Sequence, residues 1–289
     1  MQFIEDACLI NLVVSSIFTS RFQMNYSFDW SHIKEHGLCF SHKYKHEDAG
    51  VLLQLSLMVT NTNFDSIPLN TPDWLEDTAI NYARCPSPII SQGISNSVLN
   101  HPSNLAHILY NKTSNTLIII FTGTSNICLA TSDLSYTQVE LEDITNYTPG
   151  MKGHKGTYLG YEDIRSRLLS IIERYIPRNP QIIITGHSLG GALSGLCAID
   201  LAYYNPIHYS FAAPLFLNVM GSEIFGQLVK HSYRVANISD LVTMMPLPIT
   251  PNGDVFCHVG ESHLFQKNLG QYTYNHSLSY IQEYNIEQN

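Results

Sequence analysis

Gln181-Ile-Ile-Ile-Thr185-Gly186-His187-Ser188-Leu189-Gly190-Gly191-Ala-Leu193 reads as a strand, a tight turn and the start of a helix, with one serine at the turn. The β-branched run before the turn has strand length, and Leu189 to Tyr204 after it is compatible with a long helix. A serine hydroxyl is a poor nucleophile, so it must stand clear of the backbone and close to a base. A sharp strand-to-helix bend meets the first need. It also sets a helix N-terminus beneath the oxyanion that forms when the serine attacks a carbonyl. Gly186 and Gly190 flank Ser188, where such a bend leaves no room for side chains. G-x-S-x-G alone is short enough to arise by chance; its place between a strand and a helix gives it weight.

Composition sets the outer bounds. With 289 residues, 44% of them hydrophobic, the chain can bury a substantial core, and one domain over 1–289 is the simpler organisation. A formal charge of -9 with only 15 Lys and Arg argues against nucleic acid, because phosphate neutralisation needs clustered cations. The six cysteines, Cys8, Cys39, Cys85, Cys128, Cys197 and Cys257, are widely spaced without a C-x-x-C pair, so nothing in the spacing demands bridges. Cys257-His258 with His263 lacks the second ligand pair of a structural zinc site. We expect no metal there.

Residues 1–24 read as an N-terminal apolar extension. Ala7 to Thr19 has the length of a signal-peptide core, but Glu5 and Asp6 precede it where a signal carries positive charge, so secretion is not supported. Among the N-x-S/T sequons of the chain, one begins at Asn237 and another at Asn275. Both adjoin the residues assigned below to the chemistry, where a glycan would obstruct it, so both read as chance matches.

Along the chain there are no repeats, charge blocks or low-complexity linkers. Glu47 to Thr60 reads as a mostly buried helix, Pro72 to Arg84 as a helix within an irregular region, and His107 to Asn111 with Thr116 to Thr122 as a hairpin turning at Lys112 to Asn115. Glu162 to Tyr175 has helical periodicity, and Ile182 to Thr185, His208 to Ala212 and Ser232 to Val235 read as strands. This alternation predicts an α/β fold, a mostly parallel central sheet with helices on both faces.

A nucleophile needs a base, and the base an orienting acid. In α/β hydrolases, which carry their serine on such a bend, the order is serine, acid, histidine, so both partners should follow Ser188. Asp240 comes just after the strand-like Tyr233-Arg-Val-Ala-Asn237, at the edge where a sheet hands over to a loop. Asp254 sits in a Pro-Asn-Gly-Asp turn and Asp200 within a helix, and both are weaker choices. Three histidines compete for the base. His258 and His263 belong to Val255-Phe-Cys-His-Val-Gly-Glu-Ser-His263, which looks like a strand end, and His276 to a loop opening a terminal helix. Position alone leaves His276 level with the other two together.

Several further segments recur in a familiar order: Leu117-Ile-Ile-Ile-Phe-Thr-Gly123-Thr124-Ser125, His154-Lys-Gly156-Thr-Tyr-Leu-Gly160, the Ser188 turn, Phe211-Ala-Ala-Pro214, Arg234-Val-Ala-Asn237-Ile-Ser-Asp240, His258-Val-Gly-Glu261 and Asn275-His276. Over residues 105–280 the chain resembles the fungal-type, class 3 lipase family, and hence the α/β-hydrolase fold. The resemblance implies Ser188 as nucleophile, Asp240 as orienting acid and His276 as general base. It gives the oxyanion hole to Leu189 and Thr124, with Asp133 placed to orient the Thr124 hydroxyl, and it makes His258 and Glu261 structural. His187 then points away from Ser188 into the packing beneath the turn.

Two positions depart from the family pattern. Thr122 stands where the family commonly has Arg, and Ala130 where its lid often has Trp, although Ser125 to Tyr136 still mixes Ile127, Leu129 and Leu134 with polar residues, as an amphipathic cover would. The expected activity is that of a serine ester hydrolase cleaving carboxylic esters of lipids through an acyl-serine intermediate, without cofactor or metal. The expected partners are a lipid or other ester substrate and, with a working cover, a lipid-water interface. Phospholipase A1 or short-chain esterase activity is the enzymatic alternative, and a catalytically silent lipase-like binding protein the alternative of a different class. Oligomeric state is not legible.

Overall fold

The computed structural model describes residues 39–60, 74–81, 104–123 and 136–286. The apolar N-terminal extension, Thr124 and the expected cover over 125–135 lie outside these residues. Helix α1 (His46–Thr60) is followed by strands β1 (Trp74–Asn81), β2 (Asn104–Asn111) and β3 (Thr116–Phe121), and then by a short ribbon, β4 (Gln138–Glu140) with β5 (Lys152–His154). Helix α2 (Lys155–Glu173), strand β6 (Gln181–His187), helix α3 (Leu189–Asp200), strand β7 (Ile207–Phe211), helix α4 (Val219–Leu228), strand β8 (His231–Asn237), strand β9 (Glu261–Phe265) and helix α5 (Ser279–Glu283) complete the described order.

Seven strands form one sheet in the order β1-β2-β3-β6-β7-β8-β9. From β3 to β9 the neighbours run parallel, while β1-β2 and β2-β3 are antiparallel. Side chains alternate across a strand, and the central strands are apolar on both sides, as a sheet covered on two faces requires. Leu117, Ile119 and Phe121 of β3, with Ile182 and Ile184 of β6, pack on one face against Tyr161, Ile164 and Leu168 of α2 and Ala192, Leu193 and Leu196 of α3. Ile118, Ile120 and Ile183 face the other way, toward Leu52, Leu53 and Leu55 of α1 and Tyr280 and Ile281 of α5. Each fully buried Leu or Ile contributes roughly 1.5–3 kcal/mol. The two layers fix the sheet, and the sheet fixes where its strand ends point.

Some elements depart from the sequence reading. Trp74–Asn81 is an edge strand and not part of a helix, because pairing with β2, interrupted by a register shift between Glu76 and Thr78, overrides the helical look of Pro-Asp-Trp-Leu-Glu-Asp. Helix α2 starts at Lys155, not at Glu162: His154 caps it by accepting the Thr157 N–H, which carries the helix through two glycines. Strand β9 begins only at Glu261, so Cys257 and His258 precede it. His276 lies in a widened helical turn, Tyr274–Leu278, continuous with α5, and not in a loop.

Candidate active site

The carboxyl ends of β6 and β8 and the turn entering α5 converge on one point. Ser188 directly follows β6 with φ 61° and ψ −130°, a conformation most L-residues avoid. Its N–H donates to the Phe211 carbonyl at the end of β7, 2.8 Å away, which helps to hold the bend. The flanking glycines are required by contact: a Cβ on Gly186 would lie 2.2 Å from the Gly190 oxygen, and one on Gly190 2.4 Å from the Phe121 oxygen. The loop after β3 is thus pressed against the turn that carries the serine. Gly123 in that loop donates its N–H to Thr60 Oγ1 at the end of α1, 2.9 Å away. Leu189, the first residue of α3, has an N–H with no carbonyl to bond within its own helix.

Three of the expected side chains meet by hydrogen bonding. His276 Nε2 lies 2.8 Å from Ser188 Oγ, and His276 Nδ1 lies 2.9 Å from Asp240 Oδ2. An ionised carboxylate only accepts, so Nδ1 carries the proton and Nε2 accepts from the serine hydroxyl. All three side chains are buried, Asp240 at 1% exposure. The second carboxylate oxygen accepts the Val242 N–H at 3.0 Å, capping the short turn Leu241–Met244. Asp240 Oδ2 also accepts the Tyr280 hydroxyl at 3.0 Å. Burial first, and then the charge of Asp240, raise the Tyr280 pKa well above the usual phenol range, so Tyr280 stays a donor. Thr124, the other expected oxyanion residue, lies outside the described residues.

The rejected candidates are occupied elsewhere. Asp200 ends α3 and is buried against Arg165, with Nε 2.6 Å from Oδ2, and it accepts the Tyr161 hydroxyl at 2.8 Å. Asp254 belongs to a turn closed by the Thr250 N–H on its own carbonyl. His258 Nε2 faces the Arg234 guanidinium at 2.9 Å, and His263 stacks on Tyr44.

Sequence reasoning missed several contributors. Tyr280 stands one helical turn after His276, and the spacing would have been informative had the segment been read as helix. Asn237 and Asn275 enter the sequence reading as sequons and as members of family-like segments, with no role of their own. Their amide nitrogens are buried and donate to Lys267 O, Asn275 O and Ser279 Oγ in the first case, and to Ser239 O and Asn268 Oδ1 in the second. Neither is open to a glycan in this fold.

A family model described as lipase (class 3) matches residues 118–249, the span that holds most of β3, the serine turn and Asp240. Over residues 118–249 the chain is similar to the class 3 lipase family. A lipase of Rhizomucor miehei is 29% identical over 164 residues, which are 53% of this chain and 42% of that protein. A lipase of Caenorhabditis elegans is 36% identical over 101 residues, 32% of this chain and 26% of that one. The chain therefore spans less than half the length of these relatives. Among solved structures, a fungal lipase-inhibitor complex is similar with a TM-score of 0.57 at 21% identity, covering 79% of this chain and 84% of that one. Lip2 lipase of Yarrowia lipolytica gives 0.54 at 16% identity, covering 84% and 81%. At these identities the likeness shows the fold, that of an α/β-hydrolase.

Two buried histidines make the stability of this fold depend on pH. His187 packs against the His276 and Tyr280 rings, and its Nε2 donates to the His276 carbonyl at 2.9 Å. His208 bridges Ser194 and Ser232 at 3.0 and 2.8 Å. Because Ser194 gives its hydroxyl proton to the Gly191 carbonyl, His208 Nε2 must donate and Nδ1 accept. Burial lowers both pKa values to about 3, assisted for His187 by the charge of His276. Between that value and the ordinary 6.5 the unfolded chain binds these protons and the folded chain does not, so stability is full above about pH 6.5 and declines on acidification. Each histidine should contribute a slope of about 1.4 kcal/mol per pH unit. Urea unfolding measured from pH 7 to pH 4 should show this fall, and His208→Gln should flatten it by about one proton's worth; an unchanged slope would count against the neutral assignment.

Proposed function

We propose that the chain is a serine carboxylic ester hydrolase acting on lipid esters, built as one α/β-hydrolase domain. The reading is carried by the relay from Ser188 Oγ through His276 to Asp240, with bonds of 2.8 and 2.9 Å. As Ser188 Oγ attacks the ester carbonyl carbon, its proton passes to His276 Nε2, and Asp240 stabilises the resulting imidazolium. The carbonyl oxygen becomes an oxyanion, for which the Leu189 and Thr124 N–H groups are the proposed donors. Collapse returns the His276 proton to the departing alcohol and leaves an acyl-serine. Water, deprotonated by the same imidazole, then releases the carboxylic acid and restores Ser188.

Apolar surface beside Asp240 supports a lipid-like substrate. Ile238, Leu241, Met244, Leu247 and Ile249, all in the segment after β8, are exposed, Ile238 at 61% and Ile249 at 67%, and exposed apolar groups gathered in one segment suit an apolar ligand or surface. The relatives and solved structures that the chain resembles are lipases, among them fungal ones. The test is a panel of esters of graded acyl length assayed below and above their solubility limits. A rate that rises with chain length and jumps at the limit fits a lipase working at an interface. A smooth curve with short-chain preference would replace that substrate class with soluble esters, and no hydrolysis of any ester would overturn the reading.

A further inference from the structure

The residue pair that orients a proton relay must itself be held, and here acid and base come from segments 36 positions apart, the end of β8 and the turn entering α5. Two asparagines lie at the junction. Asn237 precedes Asp240 by three residues and is fully buried. Its Nδ2 donates to Lys267 O and Ser279 Oγ at 2.7 and 2.9 Å and shares one of its two hydrogens with the carbonyl of Asn275, the residue immediately before His276, at 3.2 Å. Its Oδ1 accepts the N–H groups of Ser239 and Lys267 at 3.1 and 3.0 Å. Asn275 reaches back in the opposite sense. Its Nδ2 donates to the carbonyl of Ser239, the residue immediately before Asp240, at 3.0 Å, and its Oδ1 accepts the Leu269 N–H at 2.7 Å. Turning either amide over would set oxygen against carbonyl oxygen, so the donor and acceptor pattern itself fixes both orientations.

We infer that Asn237 and Asn275 form a reciprocal latch that positions the acid and base segments against each other and thereby sets the His276–Asp240 hydrogen bond. Each amide grips the carbonyl just before the other segment's functional residue, so neither segment can shift without breaking bonds of the other. The backbone N–H of Asn237 extends the same device: it donates to the Tyr280 hydroxyl at 3.0 Å, and that hydroxyl donates to Asp240. Both asparagines are positioning residues that stay clear of the reacting atoms. A buried network in which every donor and acceptor is paired specifies one arrangement, and it loses that arrangement when one member is replaced.

The inference rests on the esterase reading for its kinetic test and has a second test that does not. In the full chain, Asn275→Asp and Asn237→Asp keep the size and one acceptor oxygen but lose the donating NH2. With a soluble chromogenic ester, each should lower kcat by about tenfold or more while KM stays within about twofold, as expected when a reacting group is misplaced by a fraction of an ångström. The double variant should be no worse than the worse single one, because both break the same latch. In proton NMR the downfield signal of the His276 Nδ1–H, present in the wild type and absent from His276→Ala, should broaden or vanish in each variant. Variants that fold, keep that signal and turn over within about twofold of wild type would overturn the latch. Should Asn237→Asp not fold, Asn275→Asp alone decides by the same criteria. A wild type that hydrolyses no ester would refute the esterase reading and leave the NMR signal to judge the latch.

Discussion

Ser188→Ala is expected to lower the turnover of a soluble chromogenic ester by about 10⁶-fold, with the thermal unfolding midpoint changed little. The size follows from what the hydroxyl does: without Oγ no acyl-enzyme forms, and the positioned imidazole and amide donors can act only on a water held less well. The fold should survive because the bend at residue 188 depends on the Gly186 and Gly190 contacts and on the backbone bond to Phe211, none of which needs the hydroxyl. Relief of the left-handed strain is not expected from alanine, which also carries a Cβ. Turnover within tenfold of wild type would exclude Ser188 as the nucleophile.

Asp240→Asn should cost about 10⁴-fold in kcat, roughly a hundredfold less than the loss of the nucleophile's hydroxyl. The carboxylate accepts from His276 Nδ1 and from the Tyr280 hydroxyl on one oxygen, and from the Val242 N–H on the other. A carboxamide can keep the Val242 bond through its oxygen, but its NH2 then faces His276. The imidazole answers by placing its proton on Nε2, where it can no longer take the proton of Ser188. Substrate affinity should be spared, so the loss should fall on kcat and leave KM close to wild type. Equal losses in both would point to a collapsed site and not to a misplaced proton.

The parts of this site that were legible in the sequence are those under local constraint. Ser188 stood out because a strand-to-helix bend imposes glycine on both sides at backbone contact distance, and Asp240 because it follows a strand end by three residues. His276 was separable from His258 and His263 only through the family resemblance. The Arg234 guanidinium that engages His258 and the Tyr44 ring that covers His263 come from elements distant in the chain, and no local pattern announces them. The same limit hid β1, whose strand state is imposed by its neighbour β2. It also hid the start of α2, where a histidine cap at residue 154 and not propensity opens the helix. Asn237 and Asn275 carry no positioning role that the sequence makes legible, as sequons or as members of family-like segments, since the partners that define that role become neighbours only once the sheet closes.

The central claim is that the buried relay makes Ser188 reactive, and a fluorophosphonate probe tests it directly. The measurement is the rate of labelling and the site of the adduct, mapped by peptide mass spectrometry in the wild type and in His276→Ala. A single adduct on the peptide carrying Ser188, formed about 10³-fold more slowly without the imidazole, is the expected result. No adduct at Ser188, or labelling there at an undiminished rate in His276→Ala, would contradict it.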